Sequence, residues 1–170
     1  MNWVDWLRFV IIRAQALTEE AFRPFGDVLE TAGKTPQWIN FGNTRKYANL
    51  AEIAIEDGHR GQLSIYRSSV ITIPFRIRLV ECHPLGSQAF FPLHERPFPV
   101  VVAPCGVIPC ADNLRAFLSN GRQGVNFHPG VWHHYQLTLD QESDYIVVDR
   151  GGDGENYREH HLDEKVVLEL

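Results

Sequence analysis

Short runs of β-branched and aromatic residues, each closed off within a few positions by glycine, proline or asparagine, restrict this chain more than any other feature. Such runs read as strands. They lie at Phe9–Arg13, Asp27–Thr31, Gln62–Arg67, Phe75–Glu81, Ser87–Leu93, Phe98–Ala103, Leu114–Ser119, His133–Leu139 and Tyr145–Asp149. The stretch Phe75-Arg76-Ile77-Arg78-Leu79 alternates apolar and charged residues, as a half-buried strand does. Val100-Val101-Val102 is apolar on both faces and suits a central or interface strand. Helix signals are few. Thr18 can cap a short helix running to Arg23, with Glu19 and Glu20 in its first turn, before Pro24 and Gly26 end it. With no repeat, low-complexity tract or linker, the expectation is one domain over residues 1–170. It is all-β: a closed barrel or sandwich with a few short helices, of a size that can hold a small ligand inside. Residues 1–8, with Trp3 and Trp6, are expected to form an N-terminal arm.

Charge narrows the partners. The formal net charge of −5 gives no electrostatic case for nucleic acid or an anionic membrane, though a few local arginines can still receive a small acid. The apolar start is interrupted by Asp5 and Arg8 and is too short to span a bilayer. No signal peptide or membrane helix is therefore expected, and the cytoplasm is the default compartment. Cys82, Cys105 and Cys110 are odd in number and form no CxxC pair, which argues against a disulfide framework and for a reducing compartment.

Two segments carry chemistry: Glu81 to Pro92, and Gly121 to His134. Glu81 and His83 stand at i and i+2, so on a strand they share a face. A glycine turn follows, and Gln88 begins the next strand, so a strand pair can bring Glu81, His83 and Gln88 to one patch. In the second segment a Pro-Gly turn immediately precedes Trp132-His133-His134. On a strand His133 and His134 point to opposite faces, so only one of them faces inward. His83 and His133 are the leading candidates, with His128 and His134 behind them. His59, His94, His160 and His161 read as surface residues, and Trp132 and Phe90 as core.

These segments resemble a degenerate pair of cupin motifs, with Glu81, His83, Gln88 and His133 at the positions of the usual three-histidine, one-glutamate metal set. Their wording is closer still to the ureidoglycolate lyases. The resemblance rests on Phe25-Gly26-Asp27-Val28, His83 through Phe90, Leu114 through Phe117, Asn120-Gly121, Gly124 through His128, Gly130 through His134 and Asp149 through Gly152, in that order. It spans about Leu17 to Gly152.

The resemblance implies a cupin-like β-barrel (a double-stranded β-helix), a homodimer, and cleavage of ureidoglycolate to glyoxylate and urea in allantoin degradation. It also associates nickel with the family. Glu81 and Gln88 stand where stronger ligands are usual, and a glutamine is a weak ligand, so the four positions offer at most a weak metal site and no cofactor is required.

The substrate implied is a carbinolamine bearing a carboxylate. Its cleavage needs a general base and a general acid. His133 or His83 would be the base on the hydroxyl, with Glu81 orienting or assisting. Arg67 or Arg150 would clamp the carboxylate as a guanidinium fork; alternatively, Asp149 and Arg150 form a structural ion pair. Gln88 and Asn126 would hold the urea end, and Tyr47 would close the site from a loop. Three other readings compete: a metal-dependent cupin enzyme acting on another small acid, a hydrolase releasing ammonia from the same substrate, and a non-catalytic cupin that binds a small acid. As an interface, the sequence offers Val100–Ala103 and Val166–Leu168, which an internal core strand explains equally well.

Overall fold

The computed structural model describes residues 9–170; the expected N-terminal arm at residues 1–8 lies outside them. Among the described residues the regular elements are thirteen strands and one helical turn. Strands β1 (Phe9–Ala16), β6 (Phe75–Cys82), β8 (Pro99–Ala103), β9 (Arg115–Leu118), β11 (Trp132–His133) and β13 (Arg158–Glu169) close a barrel in the order β1-β13-β6-β11-β8-β9. A five-stranded sheet lies beside it, in the order β2-β10-β7-β12-β5. Its strands are β2 (Gly26–Leu29), β5 (Arg60–Ser68), β7 (Gln88–Pro92), β10 (Gly124–Phe127) and β12 (Ser143–Gly151). A hairpin of β3 (Gln37–Ile39) and β4 (Thr44–Lys46) stands apart. The architecture is the all-β, closed-barrel kind expected. The single helix α1 (Glu19–Phe22) is capped by Thr18, whose hydroxyl accepts from the Ala21 amide at 3.2 Å.

Alternation explains the layering. On β8, Val101 and Ala103 point into the barrel with Ile77, Val166 and Leu168. Val100 and Val102 point out of it, against Phe90, Val125, Tyr145 and Val147 of the sheet. Two apolar layers result, one inside the barrel and one in the seam between barrel and sheet. This fills both faces of β8, which is buried throughout. Val166 and Leu168 likewise end in the barrel interior, so neither proposed interface segment is a free surface.

Two differences from the sequence reading have local causes. The strand expected over His133–Leu139 stops at His133. His133 and His134 are both buried, at 1% and 5% exposure, which strict alternation cannot provide, and the chain leaves the ladder there. Conversely, the charged tail from Arg158 forms the longest strand of the described chain. Its apolar alternation begins only at Val166, after a break in register that follows His161.

Candidate active site

The seam between barrel and sheet ends in a polar cluster. Glu81 on β6 pairs across the ladder with His133 on β11, and His133 pairs in turn with Val102. This puts both polar side chains on the outer barrel face, toward the sheet. The turn before β11 aims His133. Gly130 adopts φ 75°, a conformation natural to glycine, and its amide donates to the His83 carbonyl at 2.9 Å. From the sheet come Gln88 on β7, Phe127 on β10 and Asp149 on β12.

Both imidazoles are fixed by backbone. His83 Nδ1 lies 2.7 Å from the Asn156 carbonyl, and His133 Nδ1 lies 3.1 Å from the Val131 carbonyl. A carbonyl only accepts, so each Nδ1 carries the proton and each Nε2 presents a lone pair. His83 Nε2 is buried and has no partner among the described residues. His133 Nε2 faces Gln88 Oε1 at 3.1 Å and Glu81 Oε1 at 3.7 Å. The other end of the Gln88 amide donates to Asp149 Oδ2 at 3.3 Å. His133 lies stacked on Phe127, with centroids 4.2 Å apart.

Burial sets the electrostatics. It pushes His133 down to about 3, with the neighbouring His83 and His134 adding to the shift and the Val131 carbonyl opposing it. His133 is therefore neutral near pH 7, and its approach to Glu81 is not an ion pair. Burial raises the Glu81 carboxyl above its ordinary range, while His83 and Tyr157 work the other way. The Tyr66 hydroxyl is raised too, first by burial and then by Asp149 and Glu81. Tyr157 donates to Glu159 Oε2 at 2.6 Å, and its ring is 6.1 Å from that of His83. Tyr66 and Tyr157 are the exposed members of the neighbourhood, at 39% and 44%.

One ligand atom each from Glu81, His83 and His133 lies within 4.8 Å of the others. The donor set fits a divalent transition ion: two imidazole lone pairs with their opposite nitrogens anchored, and one carboxylate. His133 Nε2 and Gln88 Oε1 are moreover two acceptors facing one another, an arrangement that a cation relieves.

The cluster brings together Glu81, His83, His133 and Gln88, as the sequence suggested, but across the two sheets rather than on one strand pair, because Gln88 belongs to the second sheet. It does not bring in the remaining expected residues. Alternation on β12 places Tyr145, Val147 and Asp149 on the inner face, and Ile146, Val148 and Arg150 on the outer face. Neither the carboxylate clamp nor the alternative Asp149–Arg150 ion pair is formed by Arg150. Arg150 donates to Glu56 Oε2 at 3.2 Å and to the Asp153 carbonyl at 2.7 Å. Arg67, opposite Asp144 on the same outer face, is held by its carboxylate at 2.8 and 2.9 Å. Asn126 pairs with Ala89, again on the outer face, and donates to Asp27 and to the Glu52 carbonyl. Tyr47 follows β4 half-buried, and none of the cluster's hydrogen bonds runs to it. His128 meets Asp27 at 3.2 Å near the surface, and the His134 ring packs against Phe75 and Tyr135. Sequence reasoning missed Asp149 as a member of the cluster, along with Phe127, Tyr66 and Tyr157. Alternation within Tyr145–Asp149 was the available signal, since it already separates Asp149 from Arg150.

Known proteins match this chain along almost its whole length. The profile of the family described as ureidoglycolate lyase covers residues 9–169. A ureidoglycolate lyase of Pseudomonas aeruginosa is 50% identical over 161 residues, covering 93% of this chain and 95% of its own. Enzymes of the same name from Pseudomonas putida and Pseudomonas syringae pv. syringae are 48% identical over 157 residues, covering 92% of this chain and 94% and 92% of theirs. The match extends beyond the Leu17–Gly152 span that the motifs suggested, through β1 and β13, and so takes in every strand of the barrel. The chain belongs to the ureidoglycolate lyase family.

Proposed function

We propose that this protein splits ureidoglycolate into glyoxylate and urea, and that the Glu81–His83–His133 cluster is where it does so. The observation that carries this reading is the buried, unpartnered Nε2 of His83 beside a carboxyl of raised pKa, in a chain about half identical to enzymes of that name. The substrate hydroxyl must lose a proton and the leaving nitrogen must gain one. His83 is the base, because its lone pair is free and its other nitrogen is anchored. His133, held near 3, is a poor base at neutral pH and serves to shape the pocket. As the hydroxyl O–H bond breaks, the C=O of glyoxylate forms and the C–N bond cleaves. The proton held on His83 or on Glu81 then passes to the urea nitrogen, so the step is balanced without any redox cofactor. Were the same Glu81, His83 and His133 donors to hold a divalent ion such as nickel, the His83 lone pair would be a ligand instead of the base, and the ion would supply the polarisation that eases loss of the hydroxyl proton.

Among the described residues no helix is long and apolar enough to cross a membrane; we place the enzyme in the cytoplasm, in allantoin degradation. We also read it as one cupin-like catalytic domain, acting as a homodimer. The edge strand β5 supports the dimer, because Leu63 and Ile65 are 73% and 65% exposed on the outer face of the sheet, beside Phe91.

The test is to incubate purified protein with fresh ureidoglycolate and measure glyoxylate, urea and ammonia, against a control without enzyme and with a chelator arm. Equal glyoxylate and urea above background is the expected result. Ammonia in place of urea would indicate a hydrolase, and no turnover would sink the assignment. Activity that falls in the chelator arm and returns with nickel would show the metal-assisted mode.

A further inference from the structure

We propose that Asp149 is a substrate-recognition residue, whose Oδ1 receives the terminal ureido N–H of the substrate. The inference rests on the lyase reading above. Asp149 stands on the inner face of β12, in the polar end of the seam. Its Oδ2 is fixed by the Gln88 amide at 3.3 Å, and Gln88 in turn touches His133. Its Oδ1 is buried and has no donor among the described residues. A buried carboxylate oxygen left without a donor is costly, and folded proteins rarely keep one without a use. Asp149 and Glu81 both act on the Tyr66 hydroxyl, so the orphan oxygen lies in the same neighbourhood as the acid–base cluster.

The chemistry selects the ligand. The free end of ureidoglycolate is a carbamoyl NH2, two donors and no acceptor on that nitrogen, which complements an acceptor-only carboxylate. Neither Arg67 nor Arg150 reaches this end of the seam. The site therefore reads the donor end of the substrate with an acid, and the class of ligand it favours is a primary ureido or carbamoyl group.

Asp149→Asn tests this with little change of shape. The amide oxygen keeps the acceptor that Gln88 needs, and the amide NH2 takes the place of Oδ1, facing the ureido NH2 with a second donor. Product inhibition separates recognition from general damage. In Asp149→Asn the inhibition constant for urea should rise about tenfold to a hundredfold, with that for glyoxylate unchanged. Equal weakening of both products, or unchanged inhibition by urea, would overturn the inference. Direct titration of 15N-labelled protein with urea at non-denaturing concentration needs no turnover. If the wild type does not cleave ureidoglycolate, the lyase reading falls, and this titration still decides the inference. Urea binding lost in Asp149→Asn supports it, and binding that is equal in the two proteins or absent from both refutes it.

Discussion

His133 lies flat against Phe127, ring planes 7° apart and centroids 4.2 Å apart, so that an apolar ring from the sheet seals one face of an imidazole from the barrel. The contact joins the two layers of the fold at the cluster itself. Phe127 is also part of the seam core, packed near Phe22 and Phe90. Phe127→Ala should cost about 3–5 kcal/mol of stability. It should also let water reach His133 and raise its pKa, read by NMR titration of the imidazole.

His83 and His128 give opposite outcomes. His83→Gln removes the free Nε2 and should lower kcat by about a hundredfold to ten-thousandfold. His128→Gln, at a half-exposed position on Asp27, should leave kcat at the wild-type value. Steady-state kinetics of the two variants, side by side, checks this.

Arg67 is a test of placement. Its fork is spent on Asp144, on the far side of the sheet from His133. Arg67→Ala should therefore leave KM for ureidoglycolate within the scatter of wild type. A large rise in KM would return Arg67 to the role of carboxylate clamp.

Acid should unfold this protein through its buried histidines. Burial holds His133 at about 3 and His134 at about 4, both below the ordinary imidazole value near 6.5. The unfolded chain thus binds more protons than the folded one between these limits. Stability is full above about pH 6.5 and drains as pH falls toward 4, by roughly 1.4 kcal/mol per pH unit for each histidine. Denaturant titrations across this range should show the slope, and His134→Gln should reduce it.

The edge strand carries the last prediction. If the protein is the dimer proposed above, Ile65→Lys, which puts a charge in the exposed apolar strip of β5, should convert it to a monomer, as read by sedimentation equilibrium, with the far-ultraviolet circular dichroism unchanged.

What the sequence made legible divides along physical lines. Strands whose apolar residues alternate locally, such as Phe75–Cys82, were visible because one face pays its own way in burial. Arg158 to Lys165 was not, because its residues are mostly charged and exposed, and its first half is held as a strand by the ladder to β6 without an apolar pattern of its own. The same holds for the site. Glu81, His83 and His133 stood out beside tight turns. Gln88 was identified, but Phe127 and Asp149 beside it on the same sheet were not, because β10 and β12 are distant from β7 in sequence and no local pattern encodes which strands pair. The arginines went astray because residue type alone does not say which face of a strand a side chain occupies; for Arg150 the alternation with Asp149 did.

The Gly130 amide bound to the His83 carbonyl links the two halves of the cluster through main chain, and the remaining members start from paired strands. No lid needs to close for these groups to meet. Heating should therefore abolish activity and tertiary structure in a single step, at one midpoint, with no earlier phase in which a folded protein has already lost its chemistry.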